Sequence, residues 1–76
     1  MGLDVITGEQ VKAARRLLGW SQDKLAGHAG VSATSVLIAE KERKEATHGL
    51  LRAIVAALEE AGVEFPDGEP PRLKGE

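Results

Sequence analysis

Apolar residues in this chain recur at helical spacing in four blocks, and each block opens on a residue suited to capping a helix. In the first, Val11, Ala14 and Leu18 fall at i, i+3 and i+7, with Leu17 beside them. That spacing puts one apolar stripe on a helix of 3.6 residues per turn. The preceding TGEQ reads as a capping box, Thr7 as N-cap and Gln10 reaching back, with Ile6 and Val11 placed as a hydrophobic staple. Gly19 stops the block, which predicts a helix over about 8–18. The second block is Leu25 and Ala29 with Ala26 beside them, capped by Ser21, over 22–29. The third is Val36 and Ala39, capped by Ser32, over 33–41. In the fourth, Leu50, Ile54, Leu58 and Ala61 are flanked by Leu51 and Val55, and the block spans 48–61. Thr47 is its cap, Gly49 weakens its first turn and Gly62 is its stop.

Past Gly62 the period changes. Val63, Glu64 and Phe65 alternate apolar and polar, as a short strand does, and Pro66-Asp67-Gly68 is a turn signal. Arg72-Leu73-Lys74 could form a second strand after Pro70 and Pro71. The pattern leaves two outcomes open for 63–76, a short strand or hairpin and a frayed, disordered tail. The expected organisation is therefore one all-α domain over 1–62 with that tail.

The second and third blocks form one unit, QDKLAGHAGVSATSVLIAEK, over residues 22–41. Gly30 suits the left-handed position after a helix, and Ser32 can start the next one two residues later. Ala26 and Ala29 are small enough to let two helix axes approach closely. The unit resembles the helix-turn-helix of the Cro/lambda-repressor type, the Xre-like regulators. That motif has a small residue at its fifth place, glycine at its ninth, and apolar residues at its fourth, eighth, tenth, fifteenth and eighteenth. Ala26, Gly30, Leu25, Ala29, Val31, Val36 and Ala39 meet all of these.

The resemblance implies a small four-helix, lambda-repressor-like domain that binds double-stranded DNA as a transcriptional regulator, with the helix over 33–41 in the major groove. By position it nominates Gln22, Ser32, Ala33, Thr34, Leu37 and Ile38 for DNA, with Lys41, Arg43 and Lys44 adding phosphate charge. It also implies a structural pair between Arg15 of the first helix and Glu40 at the end of the third. The other reading of those two residues is a pair of solvated charges. The family usually carries Gln, Arg, Asn or Ser where this chain has Ala33, Leu37 and Ile38. Three explanations stand side by side. The apolar side chains contact thymine methyls; they bind a protein partner, as exposed apolar patches do; or the third helix is rotated so that Ile38 enters the core. Related small proteins carry a GVEF-type segment too, with a longer, glycine-containing connection in place of Pro70-Pro71.

Charge and composition narrow the picture. The net charge is −2, which opposes a polyanionic partner unless the cations cluster. They fall in three groups, Lys12/Arg15/Arg16, Lys41/Arg43/Lys44 and Arg72/Lys74, while Glu59, Glu60, Glu64, Asp67 and Glu69 make the C-terminal third acidic. There is no cysteine, hence no disulfide framework. His28 and His48 lack a metal-ligand pattern and read as surface side chains. Trp20, just before the second helix, reads as a plug on the core. The residues contain no nucleophile–base arrangement, Gly-rich phosphate loop or metal cluster, so neither enzyme chemistry nor a cofactor is expected. No apolar run reaches the ~20 residues of a membrane span, and a cytoplasmic protein is expected. One such motif covers few base pairs, so a homodimer is expected, with the fourth helix and the tail as its surface. The competing function is a protein-binding module, antiactivator or antitoxin, working through Leu37 and Ile38.

Overall fold

The structure, a computed structural model, describes residues 6–41 and 46–75. Arg43 and Lys44 lie outside the described residues, as does the rest of the charge-alternating stretch 42–45. The elements are α1 (Gly8–Leu17), α2 (Gln22–Ala29), α3 (Ala33–Glu40), α4 (His48–Glu60), β1 (Val63–Glu64) and β2 (Arg72–Leu73). The domain is small and mostly α-helical, with the two strands paired as an antiparallel hairpin.

All four helices start where a side chain can satisfy a free backbone N–H. Thr7 Oγ1 accepts from Gln10 N–H at 3.2 Å, and Gln10 Oε1 accepts from Thr7 N–H at 2.8 Å, which completes the capping box. Ser21, Ser32 and Thr47 accept from Lys24, Ser35 and Leu50 N–H at 3.0, 3.1 and 3.1 Å. Thr47→Ala should therefore cost about 1 kcal/mol, read as a lower urea midpoint with an unchanged slope. The helices α1, α3 and α4 end one residue earlier than the apolar pattern predicts, because Leu18, Lys41 and Ala61 serve as C-caps. At the end of α1, Gly19 takes φ +68°, and this lets the Gly19 and Trp20 N–H groups donate to Arg16 O and Arg15 O. Gly30, at φ +72°, turns the chain between α2 and α3.

The core draws Val11 and Ala14 from α1, Leu25 and Ala26 from α2, Val36 and Ala39 from α3, and Ile54, Val55, Ala57 and Leu58 from α4. Ile6, Val63 and Phe65 close it. Leu18 and Trp20 pack on its margin, whereas Leu17 points outward and is 40% exposed.

The tail forms the hairpin. Val63 pairs with Leu73 and Glu64 with Arg72, and Lys74 N–H donates to Gly62 O at 2.6 Å. Burial of Val63, Phe65 and Pro71 anchors it, with an exposed Arg72–Glu64 ion pair at 3.1 Å. Pro70 and Pro71 precede β2, where a missing N–H costs the ladder nothing.

One close approach sets where α3 lies. Gly8, the first residue of α1, is buried against the last turn of α3. A Cβ built there would fall 2.7 Å from the Glu40 carbonyl carbon and 2.8 Å from Ala39 O, with Glu40 O nearer still. Only glycine lets the two backbones meet. The positive end of α1 thereby faces the negative end of α3, a favourable pairing of helix dipoles. Among the described residues, no helix is long and apolar enough to cross a membrane.

Candidate nucleic-acid interface

Helix α3 rests on the domain through Val36 and Ala39, both buried. Their i, i+3 spacing sends the intervening residues outward. Ser32, Thr34, Leu37 and Lys41 are exposed, Leu37 at 37%. Ile38 is half-buried and belongs neither to the core nor to the residues packed on its margin, so α3 is not rotated to bring it inside. Ala33 is half-buried and does pack on that margin, which leaves its methyl little outward surface.

The end of α3 is tied down by a polar cluster. Arg15 Nε donates to Glu40 Oε2 at 2.7 Å and Arg15 Nη2 to Glu40 Oε1 at 3.2 Å, a fork-to-fork pair. The side chains are 12% and 3% exposed. Arg15 Nη1 also donates to Trp20 O at 2.9 Å, so one guanidinium joins α1, the turn before α2, and α3. Gln22 Nε2 donates to Glu40 Oε1 at 3.2 Å. Both carboxylate oxygens are thus engaged, Oε2 by one donor and Oε1 by two. No buried side-chain nitrogen or oxygen among the described residues lacks a partner.

Two nominated polar side chains are therefore already occupied within the chain. Gln22 holds Glu40, and its carbonyl oxygen and second N–H are what it can offer elsewhere. The Ser32 hydroxyl accepts from Ser35 N–H and donates to Ser35 Oγ at 3.0 Å. Thr34 is the nominated hydroxyl with no such engagement among the described residues.

Gln22, Leu37 and Lys41 come together at one open cleft of about 410 Å³, lined also by Glu9, Lys12 and Glu40. The sequence placed Lys12 in one basic group with Arg15 and Arg16; the structure sets it in the cleft with Glu40, the partner of Arg15. The Arg15–Glu40 pair was the signal that could have located it, since it fixes which side of α1 meets α3. The Gln22–Glu40 bond had no local signal, because 18 residues separate its partners.

Away from this face, Trp20 stacks on His28 with ring centroids 4.3 Å apart and planes 14° from parallel, and Lys24 Nζ lies 5.9 Å from the Trp20 ring. Trp20 is half-buried, so it covers the core edge and carries an exposed histidine on its outer surface. No group of three or more metal-ligating side chains gathers among the described residues.

No protein-family model matches this chain, and no curated protein matches it significantly.

Proposed function

We propose that this chain is a double-stranded-DNA-binding transcriptional regulator that sets α3 in the major groove. The observation that supports this most is the shared cleft: Gln22 at the start of α2, Leu37 and Lys41 line one opening, beside the exposed Ser32 and Thr34. A helix docked in a groove needs outward side chains at its N-terminal part and flanking groups that grip the backbone. Thr34 would bond a base edge or a phosphate, and Lys41 a phosphate, joined by Arg43 and Lys44. Leu37 and Ile38 would lie against thymine methyls. With no side chain on α3 able to make a bidentate guanine contact, selection would favour A·T-containing half-sites and depend partly on how easily the duplex deforms. The resemblance of residues 22–41 to the Xre-like helix-turn-helix points the same way. A homodimer spanning half-sites roughly 10 base pairs apart follows from the small footprint of one unit.

Fluorescence anisotropy on a labelled mixed-sequence duplex tests the proposal. Binding should weaken by at least about tenfold between roughly 50 and 200 mM salt, since released counterions drive phosphate contacts. Absence of binding to any duplex at the lower salt would remove the DNA reading. The exposure of Leu37, next to a net charge of −2, favours a protein-binding module as the second reading. That module would bind its partner without DNA and lose it on Leu37→Asp.

A further inference from the structure

The cleft between α1 and α3 holds an unequal set of charges. Glu40 is neutralised by Arg15, with two bonds to its carboxylate. Lys12 from α1 and Lys41 from the end of α3 line the same opening, and among the described residues neither is ion-paired. Lys12 is half-buried, so its aliphatic stem lies along the cleft wall while its ammonium needs an anion or water. Glu9, exposed on the first turn of α1, is the remaining uncompensated acid. Leu37 supplies an apolar wall of the same cleft. The charged residues that line the cleft, Lys12 and Lys41 with Glu9 and Glu40, sum to zero, but Glu40 is already matched by Arg15 outside the lining, which leaves two lysines against Glu9.

We propose that Lys12 and Lys41 hold a single phosphodiester of the DNA backbone between them, which makes α1 a third element of the interface and Lys12 a positioning residue. This rests on the DNA-binding reading. A phosphate gripped from α1 and α3 together would fix how far α3 enters the groove, because the Arg15–Glu40 pair locks those two helices to one another. Glu9 would oppose the same phosphate and weaken binding.

The test is the salt dependence of duplex binding, by anisotropy, for the full chain and its variants. Lys12→Gln should weaken binding several-fold at low salt, uniformly across duplex sequences, and Lys12→Arg should restore it. Glu9→Gln should tighten it. When two lysines share one phosphate, the Lys12→Gln/Lys41→Gln double variant loses about 0.9 from the log–log salt slope, whereas lysines on separate phosphates would lose about 1.8. The proposal is overturned by a loss near the larger value, by wild-type affinity and slope for Lys12→Gln, or by failure of Lys12→Arg to restore binding. If the unmodified chain binds no duplex at low salt, the DNA reading fails and takes this proposal with it. If it binds and only the Lys12 series is silent, the DNA reading stands alone.

Discussion

Gly8→Ala is expected to destabilise the domain by about 3 kcal/mol, the upper part of the range for overpacking, because the obstacle is backbone that cannot rotate away. The added methyl would meet the carbonyls of Ala39 and Glu40. Relief requires α1 and α3 to separate, and that stretches the Arg15–Glu40 pair as well. A domain of this size is stable by roughly 3–5 kcal/mol, so most of its stability would go. Gly27→Ala is the matching control. Gly27 lies within α2, is exposed, and has nothing within 4 Å of a built Cβ. There alanine should stabilise by about 0.5–1 kcal/mol, through helix propensity. Urea titrations of the two variants should thus shift in opposite directions. Equal shifts, or none for Gly8→Ala, would mean the two helices do not meet at this point.

Glu40→Ala should be about as damaging. It strands Arg15, whose side chain is 12% exposed, without its carboxylate, and it takes away the partner of Gln22. Breaking a buried pair from one side costs about 3–5 kcal/mol, and the lower end applies because Arg15 keeps its bond to Trp20 O. Replacing both partners, Arg15→Met with Glu40→Leu, should recover most of the loss or exceed wild type, since two desolvated charges are then no longer held against apolar surroundings. A double-mutant cycle in urea reads this directly as a coupling energy. Near-additive losses would show that the pair contributes little.

These two sites also show where sequence reading stops. The helix starts were legible because a cap joins residues three apart: Thr7 and Gln10, Ser21 and Lys24, Ser32 and Ser35, Thr47 and Leu50. The stops were legible to within one residue from Gly19, Gly30 and Gly62. The core followed from the i, i+3 and i, i+4 apolar positions, apart from Leu17, which lies at the edge of its stripe and turns outward, and Ala61, which caps α4 and is exposed. The hairpin was left open because its strands are two residues long and Pro70 and Pro71 mask their period. What decides it is burial of Phe65 and Pro71 against the rest of the chain. At the candidate site, the exposed face of α3 could be read from the positions of Val36 and Ala39. The pair joining Arg15 to Glu40, 25 residues apart, came only through the family resemblance. The seat of Gly8 and the Gln22–Glu40 bond are contacts between helix ends distant in the chain, and no periodicity encodes them.

The fork between Arg15 and Glu40 bears on whether the proposed DNA-facing surface is portable. A peptide spanning residues 21–41 would carry Gln22, Ser32, Thr34, Leu37 and Lys41, along with both serine caps. It would leave behind Arg15, the glycine seat of α3, and the α4 core residues Ile54 and Leu58. Helices of eight residues do not persist in water unaided. Grafting these side chains onto another scaffold would therefore transplant a list of residues without their orientation, unless a first helix bearing the arginine and the glycine travels with them.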